Sequence, residues 1–241
     1  MRKSLRSKNS IIDPKAQIGK NVKIGDYTKI SSTAVIGDNV AIGDRCKIGF
    51  DDVIKEDFII KQNPYYVDFV LANKCVIGNG ATVCDGAYVY NKVIIGNDSL
   101  VGNNAYIRGN TMIGSHAVIG FSAYIGPFVE IGDNSLVLNY SAIGSTSKIG
   151  KNVFISPSVM LAENKHMTMD YTGRRGPIIG DYVRIGALST IVSCNVGNLS
   201  VIGANSVVTK DLPEGSVYVG KRLQKVNSIL LKQINRHRYS Y

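Results

Sequence analysis

The sequence is organised by a hydrophobic residue that recurs at every sixth position. The repeat runs from Ile18 to Ile48, resumes at Ile77 for fifteen units without a slip, and returns at Ile179 after a second break. The last three units begin one residue early, at Val196. Of the 25 glycines, 18 directly follow one of these 27 anchor residues, so glycine is part of the repeat.

A period of six matches neither an α-helix, with 3.6 residues per turn, nor a single strand, with a period of two. It is typical of a short strand whose β-branched anchor points inward, followed by a tight turn that Gly, Asn and Asp tolerate. Three units close a triangular coil of 18 residues. The 27 units therefore predict an all-β fold, a parallel β-helix of about nine coils and roughly 40 Å in height, with stacked Ile and Val as its core.

Two segments depart from the repeat and are predicted to leave the prism. Residues 50–76 keep Ile54 and Ile60 in phase but lose the glycines and contain Tyr65 and Tyr66. Residues 162–178 have no anchor pattern and gather polar, titratable and aromatic side chains. Long loops on a rigid scaffold are frequent sites of function. We predict one β-helix domain over 1–220 with these two insertions, and a basic tail over 221–241 with a short helix beginning near Ser228.

The distribution of charge limits the choice of partners. The chain has 28 Lys and Arg against 18 Asp and Glu, a net charge of +10, which by itself favours a nucleic-acid or anionic-membrane surface. Five of the basic residues lie within 1–15 and six within 221–241, which leaves 17 basic and 17 acidic residues in the body. Because the repeat body is neutral, we expect no nucleic-acid partner.

The remaining bulk features predict a soluble cytoplasmic protein without stable membrane insertion. No stretch approaches the roughly 18 apolar residues needed to cross a bilayer, and the basic N-terminus is not followed by a signal-peptide core. Four cysteines, Cys46, Cys75, Cys84 and Cys194, show neither CxxC spacing nor the density of a disulfide scaffold. They are expected to be free thiols.

The repeat and the closing segment 202–220 together resemble the hexapeptide-repeat acyltransferases, and the resemblance covers about residues 12–220. Within that family, the run Leu138-Asn139-Tyr140-Ser141 resembles the active-site coil of the sugar-nucleotide N-acyltransferases. The resemblance implies a left-handed β-helix, a homotrimer, and acyl-coenzyme A bound in the groove between two subunits. Where the family often closes with Gly-Asn-Pro-Ala, this chain has Gly220-Lys-Arg-Leu, so we expect the nucleotide end of the cofactor to be held differently.

Stacking at 18-residue intervals places one set of residues along a single edge of the prism. Anchors Val101 to Ile202 share one face, and the residues two positions beyond them share the edge. The resemblance implies that the backbone at Ala187 and Ala204 contacts the pantetheine arm, and that the thioester points toward Asn139. Near the last coil, Lys210, Lys221 and Arg222 are predicted to bind the cofactor phosphates, although they would equally serve as solvated end groups. The residues of this edge are Asn103, Phe121, Asn139, Pro157, Ala187 and Ala204.

The implied acceptor is the amino group of a nucleotide-linked deoxyamino sugar used in surface polysaccharide or glycan synthesis. A sugar ammonium must lose a proton before it attacks a thioester, and an oxyanion then forms. Asn139 could position the amine or donate to the oxyanion, but it cannot be the base, and it could also be an ordinary turn residue. His166 or Asp170 of the loop could take the proton. Alternatively, the deprotonated amine reacts and the coenzyme A thiolate takes the proton.

Further polar residues are assigned to the substrate. Arg174 and Arg175 suit a diphosphate because guanidinium groups bind phosphate oxygens in pairs, although loop solvation or a salt bridge between subunits is an equal alternative. Tyr140, Ser141 and Asn164 complete the predicted substrate site.

Three other functions are weighed against this one. An O-acetyltransferase is the main rival, because a hydroxyl acceptor needs a true base and His166 would supply it. A zinc enzyme such as the gamma-class carbonic anhydrase needs three converging histidines, which His116, His166 and His237 do not resemble. A purely structural β-helix would have uniform faces and no polar loop. No metal is expected.

Overall fold

Each six-residue unit forms a strand of two to four residues and a turn, and successive units lie on three faces of a prism. A computed structural model describes residues 5–52, 73–167, 169, 173–220 and 222–224. The predicted tail helix, Ile54, Ile60, Tyr65 and Tyr66 lie outside the described residues. In the part of the chain that is described there is no helix of the length and hydropathy needed to span a membrane.

The strands fall into three sheets, called here faces 1, 2 and 3. Face 1 consists of β1 (Leu5–Arg6), β4 (Lys23–Ile24), β7 (Ala41–Ile42), β10 (Thr82–Val83), β13 (Leu100–Val101), β16 (Val118–Ile119), β19 (Leu136–Val137), β22 (Phe154–Ile155), β25 (Arg184–Ile185), β28 (Val201–Ile202), β30 (Val217–Val219) and β31 (Arg222–Gln224). Face 2 consists of β2 (Ile11–Ile12), β5 (Lys29–Ile30), β8 (Lys47–Phe50), β11 (Tyr88–Tyr90), β14 (Tyr106–Ile107), β17 (Tyr124–Ile125), β20 (Ala142–Ile143), β23 (Met160–Ala162), β26 (Thr190–Val192) and β29 (Val207–Val208). Face 3 consists of β3 (Gln17–Ile18), β6 (Ala34–Ile36), β9 (Cys75–Ile77), β12 (Val93–Ile95), β15 (Thr111–Ile113), β18 (Glu130–Ile131), β21 (Lys148–Ile149), β24 (Ile178–Ile179) and β27 (Asn195–Val196).

The predicted 18-residue stacking is confirmed by the strand register. Val101 pairs with Ile119, and Ile119 with Val137, in a parallel ladder that continues through Ile155 to Ile185. All strand pairs are parallel except β30 with β31, which turn back as an antiparallel hairpin at the top of face 1. The fold is therefore the parallel β-helix that the repeat predicts, in agreement with the left-handed β-helix that the resemblance implies.

The number of coils is close to the predicted value of about nine. The structure has about ten coils, with ten strands on face 2. The two strands before Ile18, Leu5–Arg6 and Ile11–Ile12, extend the prism downward although no glycine marks them in the sequence. The glycine-based pattern missed them for that reason.

The prism interior holds the anchor side chains and a set of buried hydroxyl groups. The Ile, Val and Leu anchors from Ile24 to Val208 are at most 4% exposed. Ser99, Ser135 and Ser189 each donate to a carbonyl of the next coil and accept a backbone N–H from it. These hydroxyls satisfy backbone groups that would otherwise be buried without partners, so they help to hold successive coils together.

Both insertions leave the prism at the same edge. Ile36 pairs with Ile77, 41 positions later, and Ile149 pairs with Ile179, 30 positions later, where an uninterrupted coil would need 18. In each case the chain leaves from face 2 and returns on face 3. We call the corners edge 1–2, edge 2–3 and edge 3–1 after the faces that they join.

Candidate active site

The loop over 163–177 stands on edge 2–3 and is closed at its base by hydrogen bonds. The Arg175 N–H donates to the Glu163 carbonyl at 3.1 Å. The Ser193 hydroxyl, on the coil above, is within 2.9 Å of the Glu163 carbonyl and 2.8 Å of the Arg175 carbonyl. The two ends of the loop are thus held together and fixed to the prism.

A glycine allows the returning strand of this loop to approach the coil below. The Gly176 N–H donates to the Thr146 hydroxyl at 2.8 Å. A Cβ at position 176 would lie only 2.3 Å from the Ser147 nitrogen, a distance that no side chain can occupy. Gly176 therefore sets how closely the loop packs on the prism.

The loop encloses a pocket of about 330 Å³ together with the next two coils. Four residues predicted from the sequence line it together: Asn164, His166, Arg174 and Arg175. Sequence reasoning missed the remaining lining residues, which are Glu163, Lys165, Gly173, Ser193, Asn195 and Asp211. The pocket therefore combines a histidine, two amides and three cationic side chains with two carboxylates.

Hydrogen bonds order part of the pocket wall. The Arg175 guanidinium donates through Nη2 to the Asn195 side-chain oxygen. Asn195 in turn donates its backbone N–H to Asp211 at 2.7 Å. Arg175 Nε is buried and makes no hydrogen bond to any described residue. A partly committed guanidinium with a free donor is suited to binding an anionic oxygen of a ligand.

Other side chains at the pocket differ in their hydrogen bonding and in their exposure to solvent. Lys165 Nζ donates to the Thr209 carbonyl at 3.1 Å, and the His166 side chain is exposed. Burial, together with the nearby Asp211 carboxylate, raises the pKa of the adjacent Cys194 thiol to about 11. Because that thiol stays protonated near neutral pH, it is a poor nucleophile.

Several predicted residues cannot be placed in the pocket. Asp170 and Lys221 lie outside the described residues, and only the backbone of Arg222 is described, in β31. Lys210 is exposed near the last coil. Their assigned roles stay predictions.

Asn139 lies on edge 1–2, a different corner from the His166 loop. Its side-chain oxygen accepts the Phe121 N–H of the preceding coil at 3.1 Å. A Cβ on Gly120 would lie 2.5 Å from this oxygen, so glycine is needed there. Nine Asn and Asp residues on edges 1–2 and 3–1 make the same coil-to-coil bond: Asp38, Asp44, Asn79, Asp85, Asn97, Asp133, Asn139, Asp181 and Asn198.

Asn139 therefore has a structural task that does not depend on catalysis. Its amide nitrogen is not used in that bond, so the predicted donation to a ligand stays a prediction.

The neighbours of Asn139 differ in their access to solvent. Tyr140 takes a left-handed backbone with φ 59° and is 60% exposed, with its ring edge-on to Phe121 at 4.6 Å between centroids. Ser141 is 1% exposed, donates to the Ser156 carbonyl and accepts the Val159 N–H. Ser141 thus belongs to the buried hydroxyls of the interior, and it has no surface with which to contact the predicted substrate.

The predicted cofactor edge is accessible in its upper part. Ala187 is half-buried and Ala204 is exposed, and the two lie on consecutive coils of edge 1–2. The upper part of this edge therefore presents small side chains to solvent.

Edge 2–3 also carries a polar cluster that sequence reasoning missed. Arg108, 8% exposed, forms a two-point ion pair with Asp52 and donates to the Tyr124 hydroxyl at 3.3 Å. Asn91 donates to Asp51 at 2.9 Å and to the Asn73 side-chain oxygen. These contacts fix both described ends of the first insertion to the prism.

Beside this cluster, tyrosines stack up the outside of face 2. The Tyr106 and Tyr124 rings are nearly parallel, 12° apart with centroids at 6.0 Å, and Tyr88 lies 5.4 Å from Tyr106. Tyr90 packs against both Tyr88 and Tyr106. The signal was present in the sequence, because positions 88, 106 and 124 are 18 residues apart.

The two histidines within the described residues lie on different edges. His116 is a turn residue on edge 3–1 with φ 56°, and His166 lies on edge 2–3. Among the described residues, no three His, Cys, Asp or Glu side chains are placed to hold a metal ion.

Known proteins are similar to this chain in its repeat and in its fold. The family model "GMPPB C-terminal domain" matches residues 6–111, and "Hexapeptide repeat of succinyl-transferase" matches 110–139 and 177–210. Among curated protein sequences, none matches the chain.

Solved structures with the same fold are distant in sequence. LpxA from Acinetobacter baumannii is 20% identical to this chain, with a TM-score of 0.60. The matched region covers 98% of this chain and 79% of the LpxA chain. A UDP-N-acetylglucosamine acyltransferase from Campylobacter jejuni is 19% identical with a TM-score of 0.57, covering 96% and 82%. LpxA of Bacteroides fragilis, also a UDP-N-acetylglucosamine acyltransferase, is 22% identical with a TM-score of 0.53, covering 97% and 78%.

The repeat and the fold together define a class, the left-handed β-helix proteins. Within that class, the chain carries a hexapeptide repeat, part of which a family model of that description matches, and it has the fold of the UDP-N-acetylglucosamine acyltransferases compared above.

Proposed function

We propose that this protein is an acyltransferase that moves an acyl group from acyl-coenzyme A to the amino group of a nucleotide-linked deoxyamino sugar. The observation that carries the proposal is the convergence of Asn164, His166, Arg174 and Arg175 on one pocket of a hexapeptide-repeat β-helix. Solved structures of this fold that are described as UDP-N-acetylglucosamine acyltransferases support a nucleotide-linked acceptor.

The pocket has the chemistry that such an acceptor needs. Arg174 and Arg175 bind the diphosphate, since guanidinium groups donate in pairs to phosphate oxygens. Asn164 hydrogen-bonds the sugar, and His166 takes a proton from the attacking amine. Attack on the thioester carbonyl gives a tetrahedral oxyanion, and its collapse breaks the C–S bond and releases the coenzyme A thiolate, which takes up a proton. Asp170 is the second candidate for the base.

The separation of Asn139 and His166 on different edges supports a shared site in a homotrimer. There, edge 1–2 of one subunit faces the His166 loop of the next, and Asn139 donates to the oxyanion from across the groove. Coenzyme A lies along edge 1–2 on the backbone of Ala187 and Ala204. Lys210, Lys221 and Arg222 reach its phosphates, and Tyr140, exposed beside Asn139, contacts the substrate. The enzyme acts in the cytoplasm, in surface polysaccharide or glycan synthesis.

An O-acetyltransferase that acts on a sugar or a small hydroxylated compound is the second candidate, and the position of His166 favours it. A sugar hydroxyl does not lose its proton unaided near neutral pH, so such a reaction needs a base at the acceptor. His166 is an exposed imidazole in the same pocket as the two arginines.

The two candidates are separated by an assay of thiol release. Acetyl-coenzyme A and longer acyl-coenzyme A are combined with UDP-, dTDP- and GDP-linked sugars, each as an amino sugar and as its hydroxyl counterpart. Turnover of an amino sugar supports N-acylation, and turnover confined to hydroxyl sugars supports the alternative. If no nucleotide sugar is acylated, from coenzyme A or from a carrier protein, the proposed function is wrong.

A further inference from the structure

The tyrosine stack on face 2 ends abruptly at Ala142. Tyr124 pairs with Ala142, and Ala142 pairs with Met160 on the coil above. On the coil below, the Tyr106 ring lies nearly parallel to that of Tyr124, with 6.0 Å between their centroids. Above Tyr124 the next side chain is a single methyl group, which does not cover a ring. Tyr124 accordingly keeps 37% of its surface exposed and Met160 keeps 43%.

The gap between these two side chains has the dimensions of one planar ring. Neighbouring parallel strands lie about 4.8 Å apart, so Tyr124 and Met160, two strands apart, are separated by about 9.6 Å. A flat ring in van der Waals contact on both sides, at roughly 3.5 to 4.0 Å each, needs about 7 to 8 Å. We call the gap the face 2 slot, with Tyr124 as its floor, Met160 as its roof and Ala142 as its back wall.

The floor of the slot is held in a fixed orientation. The Arg108 guanidinium donates to the Tyr124 hydroxyl at 3.3 Å, and Arg108 is itself held by the ion pair with Asp52. The Tyr106 ring supports Tyr124 from below. A ring that is already ordered loses little conformational entropy when a second ring stacks on it.

The slot also lies next to the pocket. Met160 begins the strand Met160–Ala162, and the residue after that strand is Glu163 of the pocket lining. Three residues of extended chain span about 10 Å. Arg175 is hydrogen-bonded to Glu163 at the base of the loop. An aromatic ring in the slot and a diphosphate on the arginines can therefore belong to one molecule.

We propose that the face 2 slot binds the base of a nucleoside diphosphate by stacking it between Tyr124 and Met160. The proposal rests on the proposed function for the identity of the ligand, and it adds a second binding element outside the His166 pocket. Methionine and tyrosine both pack well against π-systems, and stacking tolerates different bases because every base has a π-face. The slot thus contributes affinity for the nucleotide, and it does not by itself select one base.

The test compares nucleoside diphosphates with a ligand that lacks a base. Binding of UDP, dTDP, GDP and inorganic pyrophosphate is measured by calorimetry on the full chain and on Ala142→Tyr, which fills the slot. We expect about tenfold weaker binding of the nucleotide that wild type binds best, and unchanged binding of pyrophosphate. Tyr124→Ala, which removes the floor, should weaken the same nucleotide to a similar extent.

Two variants serve as matched controls. Ala41→Tyr makes the same change at the same strand position on face 1, where Ala41 also precedes an inward Ile. Tyr88→Ala removes a ring at the far end of the stack. Both should bind nucleotides like wild type.

Several results would overturn the proposal. One is unchanged nucleotide affinity in Ala142→Tyr and Tyr124→Ala, and another is a wild-type protein that binds none of the nucleotides. A third is equal loss of pyrophosphate and nucleotide binding with an altered sedimentation coefficient, which would assign face 2 to a contact between copies. Nucleotide binding that depends on the slot, in a protein without acyl transfer, would leave the slot standing and contradict the proposed function alone.

Discussion

Edge 1–2 and edge 2–3 are formed by the same repeat, yet they use their polar groups differently. On edge 1–2, Asp44, Asp85 and Asn139 bond the backbone of the preceding coil, as six residues of edge 3–1 do. On edge 2–3 a bond of this kind is made by Asp211, at the pocket wall, which accepts the Asn195 N–H of the preceding coil. Several turn residues of edge 2–3 are buried, with Phe128 at 4% exposure against 60% for Tyr140 at the equivalent turn position of edge 1–2.

This difference distinguishes the residues that hold successive coils together from the residues that are available to act on a ligand. In the regular coils, the Asn and Asp side-chain oxygens accept N–H groups from the backbone of the preceding coil. Few polar groups are then left to act on a ligand. Both insertions and the described pocket lie at edge 2–3, where the chain departs from the repeat. We expect variants of edge 2–3 to change activity or the anchoring of the insertions, and variants of the regular edges mainly to change stability.

The largest effect is expected for His166→Ala. Removal of a general base typically lowers the rate by about 10² to 10⁴, and kcat/KM for the acceptor should fall within that range. His116→Ala, at a regular turn of edge 3–1, is the control and should leave kcat/KM unchanged. A near-normal rate in His166→Ala would show that the amine reacts without this base and would weaken the O-acyl alternative.

The ion pair between Arg108 and Asp52 should matter more than an exposed pair. Asp52→Ala leaves a buried guanidinium without its carboxylate, and we expect a loss of about 3 to 5 kcal/mol in the free energy of unfolding, measured with urea. Glu130→Ala breaks an exposed pair with Lys148 and should cost less than about 1 kcal/mol. Equal losses would mean that the first insertion is not anchored through Asp52.

Asn139 tests whether a regular edge can also serve catalysis. Asn139→Ala should lower kcat by about 10² to 10³ if the amide donates to the oxyanion, and should cost about 1 kcal/mol of stability through the lost bond to Phe121. Asn97→Ala removes the same type of bond on edge 3–1 and should cost only stability. Asn139→Asp keeps the accepting oxygen, so it should restore stability without restoring kcat. Unchanged kinetics in both Asn139 variants would remove this residue from the active site.

The smallest effect is expected for a glycine at the base of the loop, Gly176. Gly176→Ala places a Cβ against the Ser147 backbone, and we expect a loss of about 1 to 3 kcal/mol together with weaker acceptor binding as the loop shifts. Gly173→Ala meets no atom within 4 Å and carries only the cost of its positive φ. If the two variants are equally stable and active, close packing at Gly176 does not position the pocket.

Much of the fold could be predicted because the repeat has a fixed register. A residue 18 positions from Val101 must lie directly above it, so the faces and edges follow from counting. The same counting places Tyr88, Tyr106 and Tyr124 in one stack. It fails where chain is inserted, which is why the pairing of Asp52 with Arg108 could not be read from the sequence.

The pocket was only partly predictable for a related reason. Asn164, His166, Arg174 and Arg175 are close in sequence and could be grouped as one polar loop. Asn195 and Asp211 come from the next two coils, which are shorter than 18 residues and shift the register. Ser141 was assigned by its nearness to Asn139, whereas its inward direction follows from its place in the buried ladder of hydroxyls.

Because both insertions begin at edge 2–3, the number of coils between them sets the distance between their bases. The strand that receives the first insertion, β9, and the strand that receives the second, β24, are five steps apart on face 3, which corresponds to about 24 Å. Removing 18 residues between them would bring the points at which the two insertions leave the prism closer by about 4.8 Å and keep both points on edge 2–3. The distance between the bases of the two insertions can thus change in steps of one coil along the prism axis, and each step leaves the core unchanged.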